Sequence, residues 1–536
     1  MTADLDTRCG ELYASGGEVL PAGQADSEDA AGEGGGGRRL GDSAGAAAFA
    51  CSRNQFESLV SFLDGADAAG LSHAELEEQL DREGRELFRR LLDDHLALRA
   101  VREQRLDHVV GDEGVARSRV ETGHTRALET VFGTVSVERL AYRAPGVGNL
   151  HPADATLNLP VERHSHGLRK LCALEAARGS FADAMDAIGR QTGQRLGKRQ
   201  VEELASLAAM DFEAFYEDRR PARSKPGDLL VLSADGKGIV MRPDALRTRA
   251  PARPRAGPGP KPRLSSDDRL YRKRMAEIGA VYDAAAARTV VDILASAAPE
   301  GYEPAPGPVA RNKWLCASVV TAPAAVIARV FDEAERRDPK HRRAWVALVD
   351  GANHQIERIK LEARKREVKV TIVVDFVHVL QYLWNAAACL HPSDDQAAAR
   401  WVHRQAIRVL EGHARKVAGS IRRQATNARL HGTRRQPADE AAAYLTNKAP
   451  YLDYPTALIN GWPIATGIVE GACRHLVKDR MDLTGARWGL AGAEAILKLR
   501  AIKANGDFEE YWRYHLTQEH HHVHQARYHN HTIPAT

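Results

Sequence analysis

Three apolar runs in this chain end in an aspartate. Leu229-Leu-Val-Leu-Ser-Ala leads into Asp235-Gly236-Lys237, Trp345-Val-Ala-Leu-Val into Asp350-Gly351, and Val370-Thr-Ile-Val-Val into Asp375-Phe-Val-His378. A carboxylate at a strand end stands on the rim of an open α/β sheet, where such sheets bind ligands. Each alone is weak evidence, because Asp-Gly also marks hairpin turns and many strand-end aspartates only cap loops. Three in one sheet point to hard-cation chemistry, in which carboxylates give Mg2+ both oxygen ligands and compensating charge. Two such ions roughly 3.5–4 Å apart clamp the attacking and leaving oxygens of an in-line phosphoryl displacement. A further acid is offered by Pro463-Ile-Ala-Thr-Gly-Ile-Val-Glu470-Gly-Ala-Cys-Arg474-His-Leu-Val-Lys478, a loop followed by a helix. Spaced i, i+4, i+8, Glu470, Arg474 and Lys478 share a helix face, with an acid for a metal and two cations for phosphate. An ordinary surface ion-pair ladder has the same spacing.

The elements that must position these residues are legible as period and length. Strand-length apolar runs fall at 229–234, 278–282, 314–320, 345–349 and 368–374, with helical patterns at 324–337 and 355–366. The first helix follows Pro323, a residue suited to a helix start. Three early strands and then alternating helix and strand predict a mixed five-stranded sheet with helices on its faces. Beyond about residue 380 the pattern is helical, ending in the His-rich segment His520–His531. One segment breaks the α/β pattern: residues 242–274 hold eleven Lys or Arg, three Asp and six Pro. Such a stretch is neither strand nor helix. It is a basic loop, either solvated or contacting phosphates.

Ahead of the sheet, residues 1–48 are rich in Gly, Ala and acidic residues, a composition expected to be disordered. Residues 49–120 form a long helical region. Ser72 and Glu75 fit a capping box, and Leu76, Leu80, Leu87, Leu91, Leu92 and Leu96 make an apolar stripe that needs a partner. Within 121–220, alternation over Thr130–Tyr142, with Val131, Gly133, Val135 and Val137 between polar neighbours, predicts a small hairpin or strand pair. Two helices follow over 180–206, the second opening on Lys198 and Arg199, in a helix-turn-helix-like arrangement. Helical hairpins that touch no DNA share this pattern.

Composition narrows the class further. At 536 residues and 43% apolar content, the chain suggests several domains. Its net charge of +4 says little about partners until local clustering is considered. Six scattered cysteines, none in a C-x-x-C pair, argue against a zinc ribbon or disulfide framework. Asp4, Asp6 and Arg8 precede no apolar run, so no secretory leader is read, and no segment has the length of a membrane span. A soluble cytoplasmic protein is expected. Scarce aromatics, 6%, together with the basic loop, fit poorly with a glycosidase using paired carboxylates.

Taken in order, Asp235-Gly-Lys-Gly, Lys273-Arg-Met-Ala-Glu-Ile-Gly-Ala-Val-Tyr-Asp, Val349-Asp350-Gly, Asp375-Phe-Val-His378 and Gly467-Ile-Val-Glu470-Gly-Ala-Cys-Arg resemble the DDE transposases of the ISKra-type bacterial insertion sequences. These are similar to the wider Mutator-like group. The resemblance spans about residues 120–515 and is strongest over 230–500. It implies an RNase H-like catalytic core over 225–380, interrupted by an all-α insertion at 381–460. The core resumes over 461–515 with the Glu470 helix, before a His-rich tail at 516–536. It implies a mainly helical N-terminal DNA-binding region. By the match, Asp235, Asp350 and Glu470 are the catalytic triad, holding Mg2+ or Mn2+, two ions in all. Asp375 and His378 take a supporting role, although Asp375 also ends a strand and competes with Asp350 as second ligand. Arg474, Lys478, Lys237, Lys198 and Arg199 become DNA contacts. Trp488 is read either as a platform for a displaced base or as core. The His-rich tail is read as disordered rather than metal-binding. The implied activity is metal-dependent DNA strand cleavage and strand transfer at transposon ends. Its partners are terminal inverted repeats and target DNA, bound by a homodimer or larger assembly in the cytoplasm at the nucleoid, with no membrane partner. The alternatives are a nuclease of the same fold without strand transfer, and a catalytically silent transposase-derived DNA-binding protein.

Overall fold

The computed structural model describes residues 48–221, 228–246, 272–284, 289–294, 301–303, 309–391, 395–483 and 485–535. The acidic tail over 1–47 and most of the basic loop, 247–271, lie outside the described residues.

Ser72 caps the helix His73–Arg102 as its sequence predicts: its Oγ accepts from the Glu75 amide at 3.4 Å, and Glu75 Oε2 accepts from the Ser72 amide at 2.8 Å. The helix Ala50–Asp64 packs along it. Of the leucine stripe only Leu96 is fully buried, while Leu91 stays exposed, as does Phe88 beside it. Two short strands, β1 (Val109–Val110) and β2 (Ala116–Arg117), precede a hairpin of β3 (Arg119–Thr130) and β4 (Gly133–Arg143). The second strand falls where the alternation over 130–142 places it, but the hairpin begins earlier, at Arg119. Polar side chains fill much of β3, which hides its period, whereas β4 alternates buried and exposed from Gly133 to Leu140.

The expectation of a disordered His-rich tail is overturned. Residues His520–His524 form a π-helical turn, and the buried His524 places Nε2 2.9 Å from the Leu159 carbonyl. Tyr528 bridges to Gly111 and packs with Val109, Tyr142, Leu150 and Ala155. Burial of one aromatic ring among the histidines orders the segment, which composition alone conceals.

The central sheet contains β5 (Leu229–Val240), β6 (Lys273–Ala284), β7 (Ala310–Ser318), β8 (Trp345–Val349) and β9 (Val370–Val374), in the spatial order β7-β6-β5-β8-β9. β6 pairs antiparallel with both β7 and β5, and β5, β8 and β9 run parallel. Every residue of β8 is buried, so its sequence is a continuous apolar run rather than an alternating one. The helices Pro323–Arg337 and Asn353–Lys365 make the crossovers into β8 and β9. Gly279 of β6 allows the first to pack closely: a Cβ there would stand 2.4 Å from Val330 and 2.9 Å from the Cys316 sulfur. β5 does not end at Asp235. Antiparallel pairing with β6 continues to Val240, whereas parallel pairing with β8 stops at Ser233↔Leu348. Asp235 therefore stands mid-strand, but just beyond the edge of the parallel ladder.

Among the described residues, helices fill the chain between β9 and Gly467: Phe376–Leu390, Asp395–Leu410, Ala414–Asn427, Gln436–Lys448 and Tyr454–Ile459, with two short 3-10 turns. The helix Gly467–Ala472 then packs on β5 and β6, and Leu490–Asn505 packs on β7. One apolar core joins these helices, the sheet and the hairpin Phe181–Thr192 with Lys198–Leu207. Trp488 belongs to that core: it is buried, its Nε1 donates to the Met481 carbonyl at 3.0 Å, and Arg480 lies over its ring. No helix among the described residues is long and apolar enough to cross a membrane.

Tyr528→Ala should cost roughly 3 kcal/mol, the scale for truncating a buried aromatic. It should also speed amide exchange in β1 and β4 more than in β8. Hydrogen exchange with denaturant unfolding checks this, and equal protection in both regions would contradict the packing assigned to the tail.

Candidate functional site

The parallel ladder of three strands ends on one edge of the sheet. Asp350 follows the last residue of β8, Asp375 the last residue of β9, and Asp235 lies just past the part of β5 that pairs with β8, while β5 itself runs on beside β6. Backbone amides fix each carboxylate: Gly236 donates to Asp235 Oδ1 at 2.6 Å, Ala352 to Asp350 Oδ1 at 2.8 Å and Val377 to Asp375 Oδ1 at 2.7 Å.

Glu470 reaches this edge. It sits in the first turn of Gly467–Ala472 and is exposed. Its ligand atom lies within 4.8 Å of those of Asp375 and His378, and these two are within the same distance of each other. This trio is able to hold a metal ion. The sequence-level set Asp235, Asp350 and Glu470 does not form so tight a group among the described residues. Asp235 is instead tied to the Glu470 helix through Cys473, whose thiol donates to Asp235 Oδ2 at 3.1 Å. Burial first, and then the Asp235 charge, push that thiol well above the usual cysteine range.

Asp375 and Asp350 differ in what they have left to offer. Asp375 is fully buried and caps the helix Phe376–Leu390; its Oδ2 accepts the Thr466 hydroxyl and lies 3.5 Å from His378 Nδ1. Burial would raise its pKa, but His378, the Thr466 hydroxyl and the amides of Val377 and Thr466 together hold it below the ordinary carboxylate range. Asp350 is half-buried, and among the described residues its Oδ2 takes no hydrogen bond. Its donors and exposure fit a hard cation, whereas those of Asp375 fit a carboxylate that orients a histidine. The Asp375 carboxylate raises His378 above the ordinary histidine value; burial opposes this, and the charges of Asp350 and Glu470 add to the rise.

Lys237, Arg474 and Lys478 are exposed. Among the described residues Arg474 has only Asp479 as an ion-pair partner, at 3.8 Å. From Cys473 to Lys478 the helix is π-wound, a form that widens the turn. The i+4 spacing that would align Glu470, Arg474 and Lys478 therefore does not carry through that segment. Such π-turns recur at functional sites in other proteins. Lys198 and Arg199 lie apart from this edge, with Arg199 paired to Glu203 at 2.8 Å. Their helix packs instead on Leu490–Asn505.

Several residues at the edge escape a reading of the sequence. Glu277 of β6 is buried opposite Gly236, and its nearest polar partner, Gln355 Nε2, is 3.5 Å away. Burial and the charge of Asp235 push its carboxyl up to about 7, with Asp350 adding and Gln355 opposing. An acid set between the apolar residues Met275-Ala276 and Ile278 was a usable signal. Tyr444 and Lys448 carry no such signal. Tyr444 donates to the Asp350 carbonyl at 3.0 Å and stacks on Tyr382 with ring centroids 4.0 Å apart. Gly351, at φ 98°, makes room, since a Cβ would meet the Tyr444 hydroxyl at 2.8 Å. The Lys448 ammonium donates to Asn353 Oδ1. Burial lowers its pKa, and the Asp350 charge works the other way.

Two outcomes follow from this chemistry. Because Glu277 is raised in the folded state, it holds a proton that the unfolded chain releases between about pH 4.5 and 7. Stability should therefore fall with rising pH across that window, by roughly 3 kcal/mol from this group. Glu277→Gln should remove that component, so metal-free melting curves of the variant and the parent should diverge above neutral pH and converge near pH 5. Tyr444→Phe keeps the ring stack but loses the hydroxyl bond, and should cost about 1 kcal/mol in denaturant unfolding. A neutral effect there would show that Tyr444 does not hold the Asp350 loop. Compared with known proteins, the chain matches no family model and no curated protein.

Proposed function

We propose that the chain is a DDE-type DNA transposase whose five-stranded sheet is an RNase H-like core and whose helices between β9 and Gly467 are an insertion into it. The observation that carries the reading is the gathering of Asp235, Asp350, Asp375 and Glu470 at one edge of a sheet ordered β7-β6-β5-β8-β9. Four acids in one place have little use in a structural core, and three of them stand at the carboxyl end of the parallel ladder, where α/β sheets bind ligands.

In this reading Asp235, Asp350 and Glu470 hold the divalent ions, Mg2+ or Mn2+. Those ions would supply activation of the attacking oxygen and stabilisation of the leaving one. The protein's own side chains do the positioning. Asp375 aligns His378 toward Glu470 and Asp350, and its saturated oxygens give it the supporting role over the ligand role. Cys473 ties Asp235 to the Glu470 helix, and Tyr444 fixes the main chain at Asp350. Lys237, Arg474 and Lys478, exposed around this edge, contact the scissile strand's phosphates. The substrates are transposon ends and target DNA, engaged by a dimer or larger assembly. Water attacks a phosphodiester at the element's end and displaces its 3′-oxygen, and the freed 3′-hydroxyl then attacks a target phosphodiester and displaces the 3′-oxygen of the target strand. No covalent protein–DNA bond is formed.

Asp235→Asn and Glu470→Gln should each abolish cleavage of end-containing duplexes while leaving DNA binding intact, and removal of divalent ions by a chelator should do the same. An assay that resolves joined from merely cut products separates a transposase from a nuclease. Cleavage undiminished in Asp235→Asn would refute the assignment.

A further inference from the structure

The helices after β9 concentrate the chain's positive charge. Residues 395–435 hold ten Lys or Arg against two Asp or Glu, an excess of eight, whereas the whole chain carries +4. The rest of the protein is therefore net acidic. The helix Ala414–Asn427 is the centre of this concentration. It contains Arg415, Lys416, Arg422 and Arg423 and no acid. Ala414, Val417, Ala418, Ile421 and Ala425 are buried on one side of it, which turns all four cations to solvent. Gly419 lies among them, so no long side chain stands at the middle of the basic face. Arg404 and Arg429 extend the exposed charge on either side in sequence.

Among the described residues, none of these six cations takes part in an ion pair. Arginines elsewhere in the protein commonly do: Arg85, Arg89, Arg90 and Arg199 all pair with acids. Arg435 at the border pairs with Asp439 and donates to the Thr426 hydroxyl at 3.2 Å, which ties the helix to its neighbour Gln436–Lys448. That neighbour carries Tyr444, the residue bonded to Asp350. The basic face is thus one helix removed from the acidic edge.

We infer that the exposed face of Ala414–Asn427 is a phosphate-tracking surface for duplex DNA. Unpaired arginines on a rigid helix, free of acids, match a regular line of phosphates and carry no means of reading bases. Each phosphate neutralised releases counterions, so binding through this face is steeply salt-dependent and indifferent to sequence. The choice of DNA rests on the function proposed above, but the binding itself does not require any bond to be cut.

The test is fluorescence anisotropy of the full chain with a labelled duplex of arbitrary sequence, across a salt series. The quadruple variant R415Q/K416Q/R422Q/R423Q should bind about a hundred-fold more weakly at moderate salt. Its slope of log affinity against log salt should be shallower by about 3.6, at roughly 0.9 for each of the four phosphate contacts removed. The charge-preserving R415K/R422K/R423K should retain the slope, and unchanged melting temperatures in both variants exclude unfolding as the cause. An unaltered slope and affinity in the quadruple variant overturns the inference. So does a loss confined to an RNA duplex of the same sequence. A parent chain that binds DNA through this face yet cuts nothing would sink the transposase reading and leave this one standing.

Discussion

Mutual repulsion of carboxylates is the constraint around which the centre of this protein is organised. Asp235, Glu277, Asp350, Asp375 and Glu470 are brought to one edge of a sheet, and some of them are buried. Charged groups so close and so poorly hydrated destabilise one another unless each is answered. The fold answers them differently. Asp235, Asp350 and Asp375 take main-chain amides, Asp375 takes a hydroxyl and lies beside an imidazole as well, and the Glu277 carboxyl is pushed up to about 7. Lys448 sets a buried cation near Asp350. Glu470 alone stays exposed.

These answers divide the acids by chemical capacity. A carboxylate whose oxygens are all engaged by the protein is an orienting group, and Asp375 is of this kind. A half-exposed one with an oxygen to spare, such as Asp350, suits an ion or a substrate. Identical side chains at the ends of adjacent parallel strands therefore have different prospects, and the difference arises from what lies beside them: Thr466 and His378 at one, Gly351 and Tyr444 at the other.

The strands and their terminal acids were legible because burial on both faces writes an uninterrupted apolar run, and a charge after such a run is conspicuous. The capping box at Ser72 was legible for a local reason, since both partners sit within one turn. What escaped reading was non-local. Tyr444 lies 94 residues from Asp350, and Cys473 lies 238 from Asp235. No periodicity in either segment announces those contacts. Asp235 itself was misplaced at a strand end, because the run of apolar residues stops there while the antiparallel ladder, held by main-chain bonds, does not. The π-wound turn after Cys473 is likewise invisible to a helical wheel, which assumes one pitch throughout.

The bridge between Gly111 and Tyr528 has a bearing on how the molecule is made. Emerging from the ribosome, β1 with β2 and β3 with β4 can form their own pairs, but the region must wait for residue 528 before its apolar pocket is sealed. Closure across so much intervening chain is slow. The early-synthesised ribbon consequently passes through a stage in which Val109, Tyr142 and Leu150 lack their cover, and a nascent or truncated product carries that wet pocket as its mark of incompleteness.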